Sequence, residues 1–322
     1  MIARNWFAVA ALGALATLLA CQVAHAQAWP SQPVRLVVPF PAGSATDNIA
    51  RILGRELQDD LGQPFVIENR PGAQGIVGSE VVAKSAADGY TLLVAAVSFA
   101  ATTSLFRKVP FDPVADFTPV SRMATTPLAL MVKADFPARS TRDFVEYARA
   151  RPGKLAAGHG SSSAQVCIAQ LARLANIDVL QVPYKGIPLA VTDVLGGNLH
   201  FTFADLGNAI AQARGGNLRA IGVTSARRST LAPEWPALAE TLPGFDIDAW
   251  LATLGPRGLP EQIARRLHEA TVRVMAKPDV QSRLATLGFT PALIGPADAA
   301  PFIKAEVAKW AALVKQAGIV PE

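Results

Sequence analysis

Three consecutive serines, Ser161-Ser162-Ser163, follow Gly158-His159-Gly160. A serine hydroxyl becomes a nucleophile only when a base takes its proton and a third group orients that base. The candidate bases are His159, His200 and His268, which fall on a loop, a strand and a helix and stand isolated from one another. Gly158 to Ser162 does not spell the Gly-x-Ser-x-Gly elbow of an α/β-hydrolase. Each histidine reads better as a surface or strand-edge residue. A secreted α/β serine hydrolase is the alternative reading, and it requires a histidine and an acid within hydrogen-bond reach of one serine. No Cys/His or His/Glu spacing suggests a metal site, and nothing calls for a cofactor. Cys167 falls inside a helix, where a buried thiol is the better reading than a reactive one.

The same residue types can do other chemistry. Glycines and serines at the start of a helix present unpaired backbone N–H groups at the positive end of the helix dipole, which suits a small anion. Gly158–Ser163 has that character but lacks the third glycine of a dinucleotide fingerprint and the Gly-Lys-Ser/Thr of a phosphate loop. An earlier stretch has it too. Val34–Val38 reads as a strand, Pro39-Phe40-Pro41-Ala42-Gly43 as a loop, and Ser44 as the opening of a helix. Ser44-x-x-Asp47 and Ser162-x-x-Gln165 both fit a capping box. In the first box, Ser44 caps the helix and Asp47 accepts from the N–H of Ser44, so Asp47 serves the cap before any ligand. The anion donors are then the N–H groups near Ala42, Gly43 and Ser44. Phe40 is either core or an apolar wall at the loop tip. Asp205 ends an apolar strand, where strand C-termini line the crevice of α/β sheets. It either caps the helix after it or accepts from a ligand. Tyr184 and Lys185 precede another helix, a position from which to line a cleft, although a solvated charge is the better reading for Lys185.

The surrounding elements place these loops. The order strand 34–38, helix 45–61, strand 65–67, helix 76–86 and strand 90–97 implies parallel pairing with right-handed crossovers. Residues 106–120 read as irregular and 127–132 as a strand. Ser140-Thr141-Arg142-Asp143 is a capping box that opens a helix to about Ala150. The strand–loop–helix pattern then recurs: 155–157 into 164–174, 179–182 into 189–195, and 199–204 into 208–214. A strand at 219–224, a Pro-rich connector, a strand at 250–254 and helices at 260–276, 278–287 and 297–316 complete the chain. Two similar α/β lobes are expected, the tail returning to the first.

The start of the chain reads as an export signal. A short basic region precedes the apolar run from Trp6 to Ala20, and Ala24-His25-Ala26 is a small-x-small cleavage site. Cys21 follows Leu18-Leu19-Ala20, a poor lipobox, so cleavage after Ala26 and release into the periplasm are expected. Cys167 is then the sole remaining cysteine and no intramolecular disulfide forms. The formal charge of +5 carries no Lys/Arg cluster, which argues against nucleic acid. No later apolar run is long enough to span a bilayer.

Several motifs occur together and in order: Pro39-Phe40-Pro41-Ala42-Gly43 with Asp47, Glu68-Asn69-Arg70-Pro71-Gly72-Ala73-x-Gly75, Asp88-Gly89-Tyr90-Thr91-Leu92, Val182-Pro183-Tyr184-Lys185-Gly186, Leu195-Gly196-Gly197 and Pro278-Asp279-Val280. In these the chain resembles the Bug-type solute receptors, the periplasmic binding components of tripartite tricarboxylate transporters. The resemblance spans essentially the whole mature chain. It implies an α/β, two-lobed periplasmic-binding-protein fold (type II-like). A signal at 1–26, a first lobe from 27–125 and 249–322, and a second lobe from 126–248 follow from it, with a ligand cleft between the lobes. It implies a monomer without catalysis that captures a small carboxylate and delivers it to membrane permease components. A receptor serving a sensor kinase is a further alternative. Carried over by position, the ligand contacts are Phe40, Ala42, Gly43, Ser44, Asp47 and Ser98 from one side, and Ser161, Ser162, Ser163 and Asp205 from the other. In that family, backbone amides and ordered waters hold the carboxylate in place of an arginine clamp. Two departures stand beside the expected ligand. Ser44 replaces a second glycine, and Ala164-Gln165-Val166 replace a stretch that often holds a histidine.

Overall fold

The computed structural model describes residues 29–321. The expected export signal, its cleavage site and Cys21 lie outside the described residues. Strand β1 (Val34–Val38) is buried except at Arg35. It runs through the Pro39–Ser44 loop into helix α1 (Ala45–Leu61). Alternate strand residues point to opposite faces. Val34, Leu36 and Val38 accordingly pack with Ile49, Leu53 and Leu57 of α1, while Val37 packs in a second core with Leu93. Each fully buried Leu or Ile contributes about 1.5–3 kcal/mol. Gly62 ends α1 at φ 76° with its N–H on the Gln58 carbonyl, a left-handed cap that glycine adopts without strain.

The remaining elements are β2 (Phe65–Asn69), α2 (Ile76–Ala83), β3 (Thr91–Ala96), α3 (Ser98–Leu105), β4 (Phe117–Lys133), α4 (Thr141–Arg149), β5 (Leu155–His159), α5 (Ser162–Ala175), β6 (Val179–Pro183), α6 (Ile187–Leu195), β7 (Phe201–Asp205), α7 (Leu206–Arg214), β8 (Leu218–Val223), β9 (Asp248–Pro256), α8 (Glu261–Met275), α9 (Pro278–Thr286), β10 (Thr290–Ile294) and α10 (Pro296–Gln316). Strand order is β2-β1-β3-β9-β4-β7-β5-β6, with β8 and β10 also paired to β4. β1 lies parallel to β2 and β3, and β5 parallel to β6 and β7, as the alternating pattern predicts.

β4 departs from expectation. A strand is expected only over 127–132, and 106–120 as irregular, yet β4 covers 17 residues. Pro119 falls at a register shift against β9, where a missing N–H costs no regular ladder bond. β4 pairs with β9 from Phe117 to Pro127 and with β7 from Leu128 to Val132. It therefore carries the chain from one half of the sheet to the other. Three further corrections follow. Helix α3 falls where no element is expected, β10 forms in the gap between the expected helices 278–287 and 297–316, and α5 begins two residues before the predicted start.

The tail returns to the first strand–helix unit. β9 inserts between β3 and β4. Behind it, Arg273 pairs with Asp60 at 2.6 Å, and Lys277 and Arg283 reach Glu56 at 2.8 and 2.6 Å. The two arginines and the lysine are about half-exposed, so the pairs orient α8 and α9 more than they stabilise them.

Candidate ligand-binding cleft

The C-terminal ends of β1, β3, β5 and β7 open onto one cavity of about 760 Å³. Each of these strands hands over almost at once to a helix. The first turns of α1, α3, α5 and α7 therefore border the cavity, together with the starts of α2 at Gly75 and α6 at Gly186. The opening amides of a helix have no intrahelical acceptor, and the aligned peptide dipoles make that end positive. The lining holds two ionisable side chains, Lys185 and Asp205, of opposite sign. The backbone thus sets the field of the cavity.

The first loop is braced from behind. Gly43 sits at φ 83° with open space around it, a left-handed conformation that disfavours any side chain. The Ser44 hydroxyl accepts from the Asp47 N–H at 3.2 Å, as the capping box predicts. The reciprocal bond is different: the Gly43 N–H, not that of Ser44, donates to Asp47 Oδ2 at 2.8 Å. The Ser44 N–H instead donates to the Pro41 carbonyl at 3.2 Å. Asp47 also accepts from Arg51 Nε at 2.9 Å and Asn69 Nδ2 at 2.9 Å, and Asn69 Nδ2 donates to the Phe40 carbonyl at 3.1 Å. Burial pushes the Asp47 carboxyl up, but the bonds from Arg51, Gly43 and Asn69 outweigh it and hold it below the usual carboxylate range. Asp47 is 1% exposed and lies under the loop, not in the cavity lining. The Gly43 and Ser44 amides named as anion donors are engaged within the loop. The helix-start amides of Ala45 and Thr46, both residues of the lining, have no intrahelical acceptor.

The second loop is held by glycine packing and hydroxyls. A Cβ on Gly160 would collide with the backbone of Gly186 and Ile187, so the loops before α5 and α6 touch. The cap of α5 is Ser161, one residue earlier than the predicted Ser162; its hydroxyl accepts from the Ala164 N–H at 3.2 Å. Ser161 Oγ and Ser163 Oγ are 3.1 Å apart. Ser162 and Ser163 form the first turn, with their amides at the positive end.

Asp205 ends β7 and stands at the N-cap of α7, yet its side chain makes no capping bond. It faces the cavity, and burial pushes its carboxyl up. The cap reading of Asp205 is therefore replaced by a cavity-facing acid.

The cavity thus brings together Phe40, Ala42, Gly43, Ser44, Ser98, Ser161, Ser162, Ser163 and Asp205, and leaves Asp47 behind the loop. Phe40 is half-buried and lines the cavity while packing on the core, so both of its readings apply. Tyr184 is turned to Asp193, to which its hydroxyl donates at 2.5 Å, whereas Lys185 lines the cavity. Sequence reasoning missed Trp250 and Phe289. Trp250 sits in an apolar strand with no turn or cap to mark it, and Phe289 just precedes β10, itself unexpected.

The serine–histidine geometry is not that of a triad among the described residues. The hydroxyl partners found are Ser161 with Ser163, and the Ala164 N–H to Ser161. His200 Nδ1 accepts from the Ala156 N–H at 3.0 Å, and His268 Nδ1 lies 3.1 Å from Ser121 Oγ. Cys167 is fully buried, and burial pushes its thiol well above its ordinary value.

Residues 49–319 match the tripartite tricarboxylate transporter family receptor, TctC. Three solved structures share the fold over nearly the whole chain. R. palustris Rpa4515 with adipate is 33% identical, with a TM-score of 0.83, covering 91% of this chain and 100% of that one. The periplasmic binding protein BugD is 29% identical, with a TM-score of 0.80, covering 91% and 100%. MatC from Rhodopseudomonas palustris with bound malate is 32% identical, with a TM-score of 0.77, covering 89% and 100%.

Proposed function

The chain belongs to the tripartite tricarboxylate transporter receptor family, and from that premise we propose that its 760 Å³ cavity captures a small carboxylate, held at the starts of α1 and α5. It is a periplasmic solute-binding receptor of that transporter type. The observation that carries the ligand class is the convergence of six helix starts on a lining with one base and one acid. An anion there meets fixed donors that need no reorganisation, which is how helix N-termini bind carboxylates elsewhere. The adipate and malate of the two related structures are both dicarboxylates.

In this reading Phe40, Ala42, Ser44 and Ser98 form one jaw, and Ser161, Ser162, Ser163 and Asp205 the other. Gly43 and Asp47 shape the first jaw without donating to the ligand. The lobes are 27–125 with 249–322, and 126–248. The hinge lies where β4 and β9 cross between them, near Pro127 and Asp248. Closure about that hinge would trap the ligand between opposed helix starts. The chain is exported by a signal cleaved after Ala26, acts as a monomer without catalysis, and passes its solute to the membrane permease components of the transporter.

Thermal-shift screening of the mature protein tests the ligand class. The panel holds adipate, malate, shorter monocarboxylates and the matching amides. At a hundredfold excess over Kd a ligand adds about 2.7 kcal/mol of stability. At least one acid is expected to raise the melting temperature and its amide to fail. A shift from neutral compounds alone would remove the carboxylate reading.

A further inference from the structure

We propose that Glu306, on the C-terminal helix α10 and outside the cavity, is a positioning residue for ligand binding: its carboxylate fixes the orientation of the Trp250 indole in the cavity wall. The inference rests on the reading of this cavity as the ligand cleft. Trp250 belongs to β9, and with Ala249 and Leu251 it lines the cavity. Its Nε1–H donates to Glu306 Oε2 at 2.7 Å. The same oxygen accepts from Trp310 Nε1 at 3.2 Å. All three side chains are buried, Trp250 and Trp310 at 2% and 1% exposure and Glu306 at 9%.

An indole has one donor and two flat faces. Turned over about its χ2 axis, Trp250 would bury an unpaired N–H, which loses the bond and keeps the full desolvation penalty. A bond to a carboxylate is stronger than one to a neutral acceptor. Phe302 of α10 adds an edge-on contact to the Trp250 ring at 5.4 Å between centroids. Phe302 is in turn covered by the Arg122 guanidinium, 4.8 Å from its centroid, whose Nε donates to the Ala292 carbonyl at 2.8 Å. Lys309 Nζ stands 4.0 Å from the other oxygen of Glu306. The carboxylate is thus itself held, and through it the wall of the cavity takes one shape. Strand β9 is also one of the two that cross at the proposed hinge, so a loose indole there would loosen both the wall and the closed state.

The test uses the mature protein and variants E306L, E306Q, E306D, W310F and W250F. The readouts are indole N–H resonances, with Trp250 assigned by its absence in W250F, and calorimetric affinity for adipate and malate. E306L is expected to move the Trp250 resonance upfield and weaken affinity about tenfold. E306Q keeps an oxygen in place and should restore both. E306D draws the oxygen back by a methylene and should behave as E306L does; it decides the matter if E306L fails to fold. W310F removes core but leaves the Trp250 bond, so it should lower the melting temperature while sparing the resonance and the affinity. Equal affinity in wild type, E306L and E306D would overturn the proposal. So would a loss in W310F as large as in E306L. If wild type binds neither acid, that counts against the choice of ligand, and an unmoved Trp250 resonance in E306L and E306D still overturns the positioning role.

Discussion

The two loops that face each other across the cavity do the same job by different means. The loop before α1 is braced by a buried carboxylate: Asp47 ties together Gly43, Arg51 and Asn69, and Asn69 reaches on to the Phe40 carbonyl. Among the described residues no charged side chain hydrogen-bonds to the loop before α5; Ser161 caps its own helix, and Gly160 lets the chain lie against Gly186. A charged brace fixes a loop over several partners at once, whereas a local cap fixes one turn. The first loop is therefore a rigid anvil and the second an adaptable jaw.

The largest effect should come from breaking the brace. Asp47→Ala leaves the Gly43 N–H without its acceptor, strips the Asn69 amide of one of its two, and should cost about 3 kcal/mol in denaturant unfolding. Affinity for the carboxylate selected by the thermal screen should fall more than tenfold. Ser163→Ala across the cleft should cost under about 1 kcal/mol. Equal losses would erase the distinction between the loops. The brace also titrates. Because the folded Asp47 carboxyl lies below its ordinary 3.8, its stabilisation is present above that pH and is lost as pH falls through the lower folded value. Asp47→Asn should flatten that acid limb, measured as melting temperature from pH 6 to pH 2.5. An unchanged limb would detach Asp47 from the loop's stability.

The next effect lies between the loops, where β4 and β9 cross. Asp248 has a buried Oδ1 without a partner, and burial, with Asp246 beside it, pushes its carboxyl up to about 6. For an acid raised in the folded state the sign is reversed: ionisation destabilises above about pH 6, and the penalty fades as pH falls towards the unfolded value. Asp248→Asn should therefore stabilise the protein by about 2–3 kcal/mol at pH 7.5 and by little at pH 4. A destabilised D248N at neutral pH would mean that the charge holds the proposed hinge together and does not strain it.

Much of this arrangement is legible in the residues. Alternation in Val34–Val38, a helical stripe through Ile49, Leu53 and Leu57, and Ser44 with Asp47 give strand, helix and cap directly, because each signal is local. The second loop is legible for the same reason, with an error of one residue in its cap, since three adjacent serines offer the same chemistry. What stays hidden depends on partners distant in the chain. Asp47 turns to Arg51 and Asn69 as well as to the loop, and only the parallel pairing of β1 with β2 brings Asn69 there. Pro119 and Pro127 disguise β4, although one sits at a register shift and the other where the strand changes partners. Trp250 looks like core, and it is core; its place in the cavity wall comes from where β9 inserts. Its bond to Glu306 joins residues 56 positions apart.

A smaller effect tests the backbone of the anvil. Gly43 holds φ 83°, and nothing lies within 4 Å of where a Cβ would stand, so Gly43→Ala meets strain without a clash. The left-handed conformation should cost about 1–2 kcal/mol, read as a lower denaturation midpoint at constant slope. A neutral G43A would show that the loop relaxes to another conformation, and the brace would then be less rigid than its hydrogen bonds imply.

The smallest effect falls on the jaw. Ser161→Ala removes the acceptor of the Ala164 N–H and the partner of the Ser163 hydroxyl. Loss of such a cap costs about 1 kcal/mol, and Ser161→Gly only a few tenths, because glycine leaves the helix end open to water. Stability should therefore fall in the order wild type, S161G, S161A in denaturant unfolding. Affinity should fall less than in Asp47→Ala, since the first-turn amides of Ser162 and Ser163 are carried by the whole of α5 and not by its cap. An S161A variant that loses as much affinity as Asp47→Ala would reverse the assignment, making the capped loop the rigid surface and the braced loop the one that adapts.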